Sequence, residues 1–574
     1  MRSVLALVWF ALASIIFTAG AHAQSGFDPV AFDELATRAE LVIQEGQASS
    51  DALETLRGTL SDARSAALDA QSDLGTRVGS IREQIAVLAA DTQDVETPEV
   101  TARRDALNQQ LAVANTPLVV AQEAYQRADG LISEIDRTIR ERNTEQLFEF
   151  GDSAINPVNW GPASADFSNY VGHLISEIKS ASANTVTNAV RSQRILPAIL
   201  TALIGLLLMF PASRWVSQKM RTATERAKNI QTNIYRLALS ILVFLVPFVG
   251  FMFLVSAFGS MDFLGLQGEL LLQALPAAGL AIFTAIWLGR NLFVDGGPAA
   301  QLMGLEQSRL RGAFNLTILL GVIVAVSSIL TAIANSADFS TTTQAVLQFP
   351  LILTGGYALV MFGRKIALYR NQLKLADVVN PISDRITLIL YYLCIVAGIG
   401  GPVAGAIGYA NVAGLLVFST ILTLGVLAGF FIFYTLLALF VSDFTQSNDT
   451  PETTKGGLFR VLLAFALVFA ALPLLALIWG ARVSDLQELW LSLSEGVKLG
   501  ETRVSFSDFL TFVLIFSIGY TLTRLFQSAL RSAVLPNTNI DEGAQNAVVT
   551  GFGYLGIFIA ALLAIMSTGL DLSS

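Results

Sequence analysis

Ten apolar segments, separated by polar connectors, run through the chain from residue 195 onward and constrain it more than any other feature. They are Ile195–Ala212, Leu237–Phe258, Leu270–Leu288, Phe314–Ile333, Ala345–Gly363, Ile386–Ala406, Val412–Val441, Leu458–Trp479, Phe509–Leu522 and Ala547–Ser567. Most approach the roughly 20 residues needed to cross a hydrocarbon layer about 30 Å thick. The ninth is short unless it starts near Val504. With 53% hydrophobic and 14% charged residues, a water-soluble globule of this length would be an outlier. The expected fold is therefore all-α: a polytopic membrane protein of about ten spans, preceded by a helical hairpin.

Two features set the expected orientation. Arg2, the apolar run Val4–Ala19 and Ala21-His22-Ala23 before Gln24 form the charged, apolar and small-residue regions of a signal peptide, residues 1–23, cleaved between Ala23 and Gln24. An uncleaved anchor is the alternative. Cleavage leaves residues 24–190 as a periplasmic domain on the inner membrane of a Gram-negative cell. The connectors agree independently. Residues 213–236 carry six Lys or Arg, 289–313 three and 364–385 five, and Lys455, Arg460, Arg524 and Arg531 bring the inner set to eighteen. The outer set holds only Arg482, Lys498 and Arg503. This positive-inside bias places both chain ends outside.

The N-terminal domain reads as an elongated antiparallel coiled coil. Leu53, Leu56, Leu60, Ala63, Ala67, Ala70 and Leu74 keep a 3-4 spacing, continued by Ile81, Ile85 and Leu88 after a slip near Val78. A second run goes from Leu107 through Leu111, Ala114, Leu118, Ala121, Tyr125, Ala128, Ile132 and Ile135 to Ile139. The polar stretch Asp91–Pro98 supplies the turn. Arms of about 40 residues would reach roughly 60 Å. Such a hairpin is either a rigid spacer or a docking surface for a periplasmic partner. Phe148, Phe150, Pro157 and Trp160 follow, and then a helix is expected over Ala163–Val190. The aromatic residues are either packing at its base or an anchor at lipid headgroups.

Catalytic chemistry finds little to work with. After cleavage one histidine, His173, and one cysteine, Cys394, remain, so no His/Cys metal centre or nucleophile–His pair is expected. No phosphate-binding glycine loop follows a strand. A net charge of −9, carried mostly by the N-terminal part, argues against nucleic acid. The chain is expected to be no enzyme and to hold no cofactor. Its spans lack mid-membrane carboxylates, lysines and histidines, unlike coupled carriers. Pro247, Pro276, Pro350 and Pro473 are either hinges or tolerated kinks. Gly425 and Gly429 form one small-residue contact face.

The C-terminal residues carry a family resemblance. Gly496-Val497-Lys498-Leu499-Gly500-Glu501 precedes the ninth span. Asp541-Glu542-Gly543 leads to Gly551-Phe552-Gly553-Tyr554-Leu555-Gly556, and the chain closes on Gly569-Leu570-Asp571-Leu572-Ser573-Ser574. This pattern resembles the small-conductance mechanosensitive channel superfamily, in its large multi-span bacterial branch. The Leu147–Trp160 patch is similar to a domain of uncharacterised function at the start of many such channels. The resemblance implies that Gly500, Asp541, Gly543, Gly551, Tyr554, Gly556, Gly569, Asp571 and Ser573 precede a pore helix. It also implies that residues 483–574 hold a tension-sensing paddle made of the last two helices, behind an array of eight membrane helices at 191–482. Arg524 and Arg531 are candidates for pinning the paddle to lipid headgroups, or are ordinary inner-face charges. Partners would be membrane lipids and identical subunits in a ring. In the family a glycine/alanine-rich pore helix and a β-rich vestibule come next, and the sequence reaches Ser574 before them. The expectation is thus a channel subunit or its sensor portion. A non-conducting scaffold is the alternative and a transporter a more distant one.

Overall fold

The structure is a computed structural model that describes residues 27–90, 98–183, 185–225, 230–261, 264–293, 307–375, 381–445, 455–495, 497–499, 502–504, 506–530 and 542–567. Among them the regular structure is helical apart from two three-residue strands. By packing it divides into two units, Met1–Phe150 and Gly151–Ser574. Residues 151–183, read from sequence as part of the N-terminal domain, therefore belong with the apolar helices. The expected cleavage site at Ala21, Ala23 and Gln24 lies outside the described residues.

The first unit holds α1 (Pro29–Glu45), α2 (Ser50–Ala90) and α3 (Pro98–Leu147). The two long helices are antiparallel. Ion pairs Arg57–Asp136 and Arg64–Asp129, both 2.7 Å, advance along α2 while retreating along α3. The expected seam is buried at Leu53, Leu56, Leu60, Ala67, Ile132, Ile135 and Ile139, and the far end packs Val78 and Ile81 on Leu107 and Ala114. Helix α1 is an element the spacing did not reveal. Asp28 caps it by accepting from the Val30 and Ala31 amides at 3.0 and 3.4 Å, and Pro29 opens it. Gly46, at φ 67°, ends it and donates its N–H to the Val42 carbonyl. Phe32, Ala36 and Ala39 then pack into the α2–α3 seam, which is why α3 also buries Ala124 and Leu131 outside the expected stripe.

The second unit starts with a 3-10 turn at Pro157–Asn159 and α4 (Trp160–Ala183), followed by α5 (Thr185–Leu207), a π turn at Leu208–Ala212 and α6 (Ser213–Glu225). Next come α7 (Ile230–Gly259), α8 (Leu266–Phe293), α9 (Gln307–Ser336), α10 (Thr341–Leu375), α11 (Pro381–Ile407), α12 (Ala410–Thr445) and α13 (Lys455–Ile478). The amphipathic α14 (Val483–Glu495), the antiparallel strands β1 (Val497–Leu499) and β2 (Thr502–Val504), α15 (Phe506–Ala529) and α16 (Glu542–Met566) complete it.

Among the described residues eight helical stretches are long and apolar enough to cross a membrane, which makes this a multi-pass membrane protein. Ten spans were expected, and the other two fall in α13 and α15. Their apolar stretches, Leu463–Ile478 and Thr511–Arg524, are shorter among the described residues. The helix containing the second of these starts at Phe506, beyond the apolar limit at Phe509 but short of Val504.

Helix α12 is the centre of the bundle. Its first half buries Ala413, Val417 and Ile421 against Leu320 and Ile323 of α9, Ile352 and Leu359 of α10 and Ala397 of α11. Its second half buries Ile432 and Leu436 against Leu239 and Val243 of α7 and Trp287 and Leu288 of α8. Helices approach most closely at glycine pairs. A Cβ on Gly398 would lie 2.7 Å from the Gly356 carbonyl oxygen, and one on Gly205 would lie 2.8 Å from that of Gly250. Such contacts bring backbones together in lipid, where burial alone does not drive helices together. Gly425 and Gly429 instead make ordinary contact with Leu288, at 3.8 and 4.0 Å. Cys394 is fully buried. The helices continue through Pro247, Pro276, Pro350 and Pro473. A π turn forms at Pro211, where Ser213 donates to the Phe210 carbonyl at 3.1 Å and also bonds to the Met209 carbonyl.

One polar cluster is buried in the bundle. Trp287 Nε1 donates to the Ser240 carbonyl at 2.8 Å, Ser240 Oγ donates to Asn291 Oδ1 at 3.1 Å, and Asn291 Nδ2 donates to the Trp287 carbonyl at 2.9 Å. Each side chain thus finds a partner in the Ser240 and Trp287 carbonyls or in a neighbouring side chain, and the cluster ties α7 to α8 with its polar atoms buried.

Candidate functional site

Two assemblies in the second unit stand out: the paired helices α15 and α16, and the segment 151–177 that lies across one end of the bundle.

Small residues join the pair. Gly519 faces Ala560, Thr523 faces Gly556, and Gln527 faces Gly553, so the numbers rise along α15 as they fall along α16 and the helices are antiparallel. A Cβ on Gly556 would meet the Thr523 hydroxyl at 2.6 Å. Gln527 Nε2 donates to the Val549 carbonyl at 2.9 Å. The side chains of Leu514, Ile518, Phe526, Leu555, Phe558 and Met566 point outward and are exposed. Among the described elements, α14 touches α15 lightly and none packs extensively on α16 apart from its partner. On α15 the rings of Phe512, Phe516 and Tyr520 form a column with centroid spacings of 6.0 and 6.5 Å. Arg524 caps it, donating from Nε to the Tyr520 hydroxyl at 3.1 Å with its guanidinium 5.4 Å from the ring centroid.

Of the motif positions, Gly556 is at the helix contact, Tyr554 is 74% exposed, Gly543 is exposed and Gly551 faces open space. Arg524 is exposed at the end of the aromatic column. Gly500, Asp541, Gly569, Asp571, Ser573 and Arg531 lie outside the described residues. The second small residue of the contact, Gly519, belongs to no motif. Its spacing of four from Thr523 is the signal that finds it.

The segment 151–177 was not legible as a site. The Gly151 amide donates to the Gly408 carbonyl at 3.1 Å, and Ser153 Oγ donates to the Ala406 carbonyl at 2.6 Å, at the junction of α11 and α12. Thr342 Oγ1 donates to Asp152 at 2.8 Å, and Thr343 Oγ1 donates to Asp166 at 2.6 Å, at the start of α10. Tyr170 packs edge-on against Phe339, centroids 6.2 Å apart, after the end of α9. Burial pushes its phenol above the ordinary tyrosine pKa, and the Glu177 charge adds to the shift. The Glu177 carboxylate rests against Gly265 at the entry of α8, where the helix dipole favours an anion.

All these partners are helix ends that the charge pattern assigned to one face. At the opposite ends, Arg290 donates to Ser217 at 3.2 Å, Lys365 approaches Gly312, and Arg370 makes a bidentate pair with Asp384. The cationic connectors thus gather at one end and the strap at the other. Asp166→Ala should cost the strap about 1 kcal/mol, the usual worth of one hydrogen bond. Hydrogen exchange should rise in peptides covering 151–170 and stay unchanged in α12. Equal rates in both proteins would remove the anchoring role.

A family model described as "Protein of unknown function (DUF3772)" matches residues 118–174, which take in the second half of α3, the aromatic segment and the first half of α4. No curated protein matches the chain.

Proposed function

We propose that the protein is a subunit of a mechanosensitive ion channel of the small-conductance superfamily, or the sensor portion of one. It responds to membrane tension in osmotic protection of a Gram-negative cell. In this reading the bundle lies in the inner membrane, the first unit and the strap are periplasmic, and identical subunits assemble in a ring. The supporting observation is the α15–α16 pair: two apolar helices joined through Gly519, Thr523 and Gly556, outward-facing on their long sides, with little attachment to the other described helices.

Tension favours whichever state has the larger in-plane area, acting like a ligand with unequal affinity for two conformations. A loosely attached apolar pair changes that area by tilting, and it needs no buried charge. Arg524 would hold its inner end at the headgroups. In cells lacking their own mechanosensitive channels, the protein extended through the family's pore helix should raise survival of sudden dilution. Gly556→Leu, which forces α15 and α16 apart, should abolish the gain. Survival no better than in empty cells, at matched membrane abundance, would favour a non-conducting scaffold instead.

A further inference from the structure

Helix α4 carries three distinct faces, and only two have an evident role. At about 100° per residue, Ala163, Asp166, Tyr170, Leu174 and Glu177 form the face that rests on the bundle ends. Gly161, Ser168, Gly172, Ser176 and Lys179 form a polar face roughly opposite. Between them Trp160, Phe167, Val171, Ile175 and Ile178 fall within about 80° of one another. Four of these five are apolar side chains left open: Trp160 at 53%, Phe167 at 39%, Ile175 at 46% and Ile178 at 38% exposure. A stripe of this kind is costly in water and is not covered by any described helix.

We propose that α4 is an interfacial lipid-binding strap, with its middle face sunk into the boundary between headgroups and acyl chains. The placement argues for lipid over a protein partner. The helix crosses the entries of α8 and α10, where the apolar lengths begin, so its free sides stand at headgroup depth. Leu266 and Leu270, exposed at 73% and 38% beside the Glu177 seat on Gly265, carry the lipid-facing surface of α8 up to α4. The indole N–H of Trp160 is already bonded to the Ala154 carbonyl at 2.9 Å, which leaves its ring free to enter an apolar layer. A helix with separate wet and apolar faces lying in the membrane plane binds about 5–10 Å deep. The strap bonds to α10 and the α11–α12 junction and rests against the start of α8, so lipid at this face would act on several helix ends together.

The proposal rests on the bundle spanning a bilayer and does not require conduction. Single cysteines at Phe167, Ile175, Ile178, Ser168 and Ser176, in the full chain with Cys394→Ser, would carry nitroxides in phosphatidylcholine–phosphatidylglycerol bilayers. Val396→Cys on α11, 62% exposed, reports whether the bundle is in lipid. Collisions with oxygen should exceed those with a nickel chelate at 167, 175 and 178, at a depth of about 5–10 Å. The order should reverse at 168 and 176. Nickel-favoured collisions at the apolar positions, with Val396 oxygen-favoured, overturn the strap alone. Shielding from both reagents means that protein covers the stripe, and also overturns it. A nickel-favoured Val396 overturns the membrane reading and the strap with it.

Discussion

Asp136→Ala should destabilise the α2–α3 pair by about 3–5 kcal/mol, because removing one partner of a buried ion pair strands charge in a dry seam. The Arg57 and Asp136 side chains are only 3% and 9% exposed, and their atoms are 2.7 Å apart. Replacing both by leucine should cost far less, since a well-packed apolar pair of similar size is often neutral or better. Hydrogen exchange of the full chain in detergent, read on peptides from α2 and α3, measures both. Protection should collapse in the single variant and largely return in the double one. Equal protection in all three proteins would show that the ion pair contributes little to holding the seam.

Gly398→Ala should cost about 3 kcal/mol, the upper end of typical overpacking. Its new methyl group would meet the Gly356 carbonyl oxygen at 2.7 Å and the Val360 amide nitrogen at 3.2 Å, and neither backbone atom can step aside without moving a helix. Gly425→Ala meets nothing closer than Leu288 at 3.8 Å and should stay within about 0.5 kcal/mol of the parent. Thermal unfolding in detergent separates the two. Similar midpoints for both variants would refute the close α10–α11 approach.

Local periodicity and hydropathy made much of this architecture legible. Leu53, Leu56 and Leu60 on α2, and Ile132, Ile135 and Ile139 on α3, stand where the 3-4 spacing put them. Each expected apolar segment lies in a helix to within one residue, the first running through α5 and the π turn. What stayed hidden is non-local. Arg57, Arg64 and Asp136 are not among the seam residues that the spacing picks out, yet they are buried because each meets an opposite charge from the other arm. Helix α1 carries local start and stop signals in Asp28-Pro29 and Gly46, but its place against the seam of the two long helices is not local. In the bundle, hydropathy saturates: Val417 and Val396 look alike in sequence, but one is fully buried and the other 62% exposed, because lipid is as apolar as a core. With 44 glycines, nothing local distinguishes Gly398, which touches backbone, from Gly425, which does not. At the candidate site Gly556 was legible from its motif. The strap was not, since Asp152, Ser153 and Asp166 are ordinary polar residues whose partners lie far along the chain.

In this reading, loosely attached helices without charge at mid-membrane read lateral stretch. Suction applied to membrane patches from cells lacking their own mechanosensitive channels, and expressing this protein extended through the family's pore helix, tests it most directly. The account predicts a conductance that opens as suction rises and closes on release, and that Gly556→Leu removes. Patches that stay silent up to rupture, with the protein demonstrably in the membrane, would contradict it.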